Sequence, residues 1–163
     1  MDAGDEPLRV AWLRDLGTMD VVPVGTRMHV EEDGFIYTGV GQTTPEIIGH
    51  IGWKLANIWM PDHVETGILL KHGVFPDPVV AAQVILTDPL SVHHDRRGQG
   101  FIYFLIAAGR LREAGLLTSR STDFVDGVVE SRHVSGGYLL RFFHLATVDR
   151  NKGGQQLWPY QQN

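Results

Sequence analysis

The chain has 163 residues, 43% of them hydrophobic and 20% charged, with a formal net charge of −5. That length and balance suit one soluble domain, 1–163, and argue against a basic nucleic-acid surface without excluding a local patch. The absence of cysteine removes disulfides, thiolate nucleophiles, zinc ribbons and iron–sulfur clusters. No apolar run is long enough to span a bilayer, and the acidic start MDAGDEPLRV has no signal-peptide core, so a cytoplasmic location is expected.

Residues 1–7 read as a loose tail and residues 8–12 (LRVAW) as a short strand. Residues 26–39 read as a hairpin: the alternating TRMHV meets FIYTG across Glu32-Asp33-Gly34. Thr44-Pro45-Glu46 is a helix start, with Thr as N-cap, Pro at the first helical position and an acid in the first turn. Apolar residues then recur at Ile47, Ile48, Ile51, Leu55, Ile58 and Trp59, which predicts an amphipathic helix ended by Pro61.

Residues 65–71 (ETGILLK) read as a strand. Residues 79–92 (VVAAQVILTDPLSV) read as a longer one, bulged or broken at Asp88-Pro89 because proline cannot donate to a ladder. A helix is expected over 100–114, a strand over 119–125 and a helix over 130–143, the last weakened by Gly136-Gly137. The tail HLATV, DRNKGG, QQLWPY reads as a final hairpin. Strands and helices alternate, so the expected class is α/β (α+β) with a mixed sheet.

The segment LSVHHDRRGQG, from Leu90 to Gly100, carries the chemistry. A helix opening at Gly100 without a side-chain cap would point unpaired N–H groups and its positive dipole end at the preceding turn. Gly98 and Gly100 allow a close backbone approach, and Arg96 and Arg97 add charge, so the construction suits an anion such as phosphate. A solvated surface turn is the plainer alternative, and a short Gly-x-Gly is common.

Read as a whole, the stretch resembles the acetyl-CoA-binding motif of the GNAT family of N-acetyltransferases. Leu90 and Val92 match the strand end, Arg97, Gly98 and Gly100 match the turn, and Ile102 stands where the family carries Gly or Ala. SRHVSGGYLLRFF, residues 131–143, resembles the family's later helix, with Ser131 at its cap, Tyr138 at its Tyr and Phe143 at its Phe. The resemblance covers roughly residues 79–160. It implies a GNAT-like, mostly antiparallel sheet flanked by helices, with Asp88-Pro89 as the bulge that opens a slot for the pantetheine arm.

It also implies an acyl-CoA-dependent N-acyltransferase, with acetyl-CoA or another acyl-CoA as co-substrate and an amine, small or peptidic, as acceptor. Arg96, Arg97, Gly98, Gln99 and Gly100 would bind pyrophosphate beside Leu90, Val92 and Ile102. Tyr138 would protonate the departing thiolate, and the backbone of Val92 would polarise the thioester carbonyl. The base that deprotonates the acceptor is open: Glu65 and His94 are the leading candidates, with His93 and Asp123 behind them. His93 and His94 point to opposite sides of a strand, so one of them at most faces the substrate.

Eight histidines also raise a metal reading around His63-Val64-Glu65 and His93-His94-Asp95, but no spacing matches a known metal signature and no metal ligand is assigned. The alternative to acyl transfer is therefore an α+β protein without CoA-dependent activity, acting as a metal-dependent enzyme or a binding protein. No membrane partner is expected, and a homodimer stays open. The four tryptophans read as core, with a substrate-stacking role open for Trp59.

Overall fold

The computed structural model describes residues 6–71, 73–95, 100–132, 137–146 and 156–159. Strands β1 (Leu8–Val10), β2 (Arg27–Val30), β3 (Ile36–Gly41), β4 (Ile58–Pro61), β5 (Ser91–His94), β6 (Phe101–Ala107), β7 (Phe124–Arg132), β8 (Gly137–Ala146) and β9 (Gln156–Trp158) form one sheet. Its order is β1-β2-β3-β4-β8-β7-β6-β5-β9. The β1–β2 and β4–β8 pairs are parallel and the rest antiparallel. Helices α1 (Arg14–Thr18), α2 (Pro45–Ile51), α3 (Asp62–Lys71), α4 (Pro78–Thr87) and α5 (Ala108–Glu113) complete the α+β domain.

The main core lies on the sheet face that packs against α3 and α4, here the inner face. Val92, Ile102, Phe104, Ile106, Val125, Val129 and Leu140 from the strands meet Val64, Ile68, Ala81, Ala82, Ile85 and Leu86 from the helices. On the outer face α1 lays Leu13 and Leu16 on Met28, Val30, Tyr37, Trp59 and Leu139. Trp59 is fully buried there and its Nε1–H donates to the Leu16 carbonyl, which makes it core and leaves no stacking surface.

The first hairpin forms as expected: β2 and β3 pair antiparallel, and Asp33 accepts from the Phe35 N–H and the Tyr37 hydroxyl across the turn. The helix start also holds, since the Thr44 hydroxyl accepts from the Ile47 N–H with Pro45 behind it. That helix ends far earlier than Pro61. Gly52 adopts the left-handed conformation (φ 82°) that closes a helix, and Ile58–Pro61 is a strand buried at every position.

The strand expected over 65–71 lies within a helix, and the one expected over 79–92 is helix as far as Thr87, with Ser91 and Val92 on β5. Pro61 ends β4, and Asp62 and Glu65 fall in the first turn of α3, where carboxylates complement the dipole. In α4 the Asp77 side chain caps the Val80 N–H and Pro78 occupies the first turn. The all-apolar sequence that follows suits a buried helix as well as a buried strand. Asp88-Pro89 therefore ends a helix and bulges no strand.

The two expected helices of the second half are strands. Phe101–Ala107 is β6, and the helix proper occupies only Ala108–Glu113. Residues 130–132 and 137–143 fall on β7 and β8, which pair antiparallel from Phe124↔Ala146 to Arg132↔Gly137. Gly137 is needed there: its φ is 74°, and a Cβ on it would sit 2.8 Å from the Gly17 Cα. In the closing segment β9 pairs with β5 and not with β8, while residues 147–155 of the expected hairpin lie outside the described residues. No helix among the described residues is long and apolar enough to cross a membrane.

Candidate functional site

The hairpin β5–β6 replaces the strand–turn–helix unit expected around Gly100. Val92 pairs with Phe104 and His94 with Ile102, the Asp95 N–H donates to the Phe101 carbonyl, and Gly100 leads into a strand. No helix N-terminus stands there to hold an anion. Arg96, Arg97, Gly98 and Gln99 lie outside the described residues. Ile102 and Val92 are fully buried core residues on the inner face, and Leu90 is 52% exposed.

Tyr138 lies on β8 and not on a helix. Its ring stacks on Trp53 at 4.7 Å and 11°, and its hydroxyl donates to the Lys54 carbonyl at 2.6 Å. Burial pushes the phenol above its ordinary pKa. Glu65 sits on α3, where burial first and the neighbouring Asp62 charge second raise its carboxyl pKa. Tyr138 lies beside Ile58 at the start of β4, whereas Glu65 is on α3, the helix that follows the far end of that strand. His94 is at the Tyr138 end of the sheet but three strands away, so these three candidates make no contiguous catalytic group. His63 packs its ring on Phe35 at 5.9 Å, and Asp123 is exposed.

That end of the sheet nevertheless carries unusual polar atoms. Paired residues share a face, so Ser131, opposite Tyr138, is on the inner face, as is His94, opposite Ile102. The Ser131 N–H donates to the Gly100 carbonyl at 2.8 Å, which sets Gly100 beside Ser131 with no side chain of its own. Ser131 Oγ and His94 Nδ1 are buried and have no hydrogen-bond partner among the described residues, and neither has Trp158 Nε1 on β9. Strand spacing puts the His94 and Ser131 Cα atoms roughly 12 Å apart. One metal ion or one phosphate cannot satisfy both.

The outer face of the same strands holds a second polar group, which the sequence reading missed apart from His93. Ser91 Oγ and His93 Nε2 share a hydrogen bond of 2.8 Å, the His93 ring lies 6.1 Å from the Tyr103 ring, and the Tyr103 hydroxyl donates to Asp126 at 3.0 Å. All four are buried, among Phe101, Leu105, Phe124 and Val128. The available signal was the alternation S-V-H on β5 and F-V-D-G-V on β7. It becomes legible only once both are known to be strands with two buried faces.

No group of three or more His, Asp or Glu side chains among the described residues is placed to hold a metal ion. No protein-family model, curated protein or solved structure matches the chain.

Proposed function

We propose that the protein binds an anionic molecule along the end of the sheet that carries Gly100, Ser131 and His94, and that the ligand belongs to the phosphate-bearing class that includes acyl-CoA. The observation that carries this reading is the pair of buried atoms with no partner among the described residues, Ser131 Oγ and His94 Nδ1, on either side of the side-chain-free Gly100. A buried polar atom left unsatisfied costs about 1–3 kcal/mol, and a ligand that supplies the missing hydrogen bonds recovers it. The connection between Asp95 and Gly100 contributes Arg96 and Arg97, the charge such a ligand requires.

N-acyl transfer from acyl-CoA to an amine is the enzymatic form of this proposal. It rests on the likeness of Arg97-Gly98-Gln99-Gly100 to an acyl-CoA motif. In it Tyr138, held protonated by its raised pKa, gives its proton to the departing thiolate after releasing the Lys54 carbonyl. A base must take the acceptor's proton, and Glu65 and His94 are the two leading candidates.

Differential scanning fluorimetry tests both forms. Acetyl-CoA and inorganic pyrophosphate should each raise Tm, and Arg97→Ala combined with Gly100→Val should abolish both shifts. A shift with acetyl-CoA alone would favour the transferase form. No shift with either ligand would sink the proposal.

A further inference from the structure

We infer that Ser91 and His93 form a nucleophile–base pair that cleaves small carboxylic esters on the outer sheet face, independently of the anion site proposed on the inner face. Covalent catalysis by serine needs a base within hydrogen-bond reach of the hydroxyl and a third group that fixes the base. The base is within reach of the hydroxyl, and a neighbouring ring packs on it. The Ser91–His93 bond is 2.8 Å, and the His93 ring lies against Tyr103, itself anchored by its hydroxyl to Asp126. Register supports the arrangement: Ser91, Leu105 and Asp126 form one row across β5, β6 and β7, and His93, Tyr103 and Val128 form the next.

Exposure is graded along the group. His93 and Asp126 are each 1% exposed, whereas Ser91 keeps 8% and Tyr103 7%, so the nucleophile is at the more open side and the base behind it. Burying an imidazole and a carboxylate on one apolar sheet face is expensive. Such departures from core chemistry concentrate at functional sites. Phe101 and Phe124, only partly buried, supply apolar surface for the acyl part of a substrate. Glu130, paired with Arg141 at 3.3 Å, is on this face too, and His144 on β8 stands in register opposite Asp126.

In the acylation step Ser91 Oγ attacks the ester carbonyl carbon and passes its proton to His93 Nε2. A new C–O bond forms while the carbonyl π electrons move to oxygen. Collapse breaks the bond to the alcohol, which leaves with the proton from His93. Water then repeats the sequence, with His93 taking its proton, and releases the carboxylic acid and free Ser91.

Two experiments on the full chain test the pair. Incubation with p-nitrophenyl acetate, followed by peptide mass spectrometry, should place an acetyl group on Ser91, and His93→Asn should remove it. Ser91→Cys introduces the chain's only thiol, because the protein has no cysteine. At pH 6.5 an ordinary thiol is only about 1% ionised, so activation by His93 should make iodoacetamide alkylation at least tenfold faster than in Ser91→Cys with His93→Asn. A purely structural hydrogen bond would leave that rate unchanged. No acetyl group on Ser91, equal rates in the two thiol variants, or no alkylation of the folded protein would each overturn the inference.

Discussion

The two faces of β5, β6 and β7 are built from the same strands and differ in chemistry. The inner face presents Val92, Ile102, Phe104, Ile106, Val125 and Val129 to α3 and α4 and, along most of its length, carries no ionisable group. The outer face interleaves Ser91, His93, Tyr103 and Asp126 with Leu105 and Val128. Both faces are equally buried. The inner face is a packing surface whose stability follows from area and shape, whereas the outer one buries polar groups that are costly to remove from water.

Replacing one residue from each face tests the comparison most strongly. Phe104→Ala on the inner face should cost about 3–5 kcal/mol and Leu105→Ala on the outer face about 2–5 kcal/mol in urea unfolding. A cost near zero for Leu105→Ala would mean that the outer face is no packed core. Next comes Tyr103→Phe, which removes the donor to Asp126 and should cost about 1–3 kcal/mol. Adding Asp126→Val should recover part of that loss, because it removes the buried charge with its partner. If the double variant is the less stable, the carboxylate is satisfied by other groups and the outer face is more robust than the pair suggests.

Smaller effects lie away from both faces. Thr44→Ala removes the cap of α2 and should cost about 1 kcal/mol in the same assay, with no change at either polar group. The smallest effect is at Glu65, whose carboxyl pKa is raised by burial and by the Asp62 charge. A group whose pKa is higher folded than unfolded binds more protons in the folded state, so its contribution is present below the ordinary carboxylate pKa and is lost as pH rises through the folded value. Glu65→Gln should therefore flatten the stability profile in the weakly acidic range and leave the protein slightly more stable at pH 7. An unchanged profile would show that solvent fully screens the partly exposed site.

Local chemistry was legible wherever a short polar signal set the backbone. Thr44-Pro45 starts a helix and Asp33-Gly34 turns a hairpin, and both stand, whereas the helix expected to run to Pro61 stops at Gly52. The same kind of signal at Asp77-Pro78 also marks a helix start, yet the apolar run behind it reads as strand when periodicity alone is consulted. Residues 101–107 were read as helix for the mirror reason. With both faces buried, β6 loses the alternation that identifies a strand, and FIYFLIA is apolar throughout.

The candidate sites were legible to the same degree. Arg96, Arg97, Gly98 and Gly100 stand out as sequence, but the resemblance they carry presumes a helix after Gly100 that the hairpin replaces. Ser131, His94 and Gly100 meet only through the β6–β7 and β5–β6 registers. Ser91 and Asp126, separated by 35 positions in the chain, share a row only because β6 lies between their strands.

By itself the sequence determined a cysteine-free α+β chain with capped turns, one amphipathic helix start and an apolar second half. Those properties depend on neighbours within a few residues, where backbone geometry and hydrogen bonding are local. The tertiary structure alone decided which apolar runs became strands, which strands became neighbours and which polar atoms were buried without partners. Those outcomes depend on burial on two faces and on register between distant segments, and neither leaves a period in a single stretch of chain.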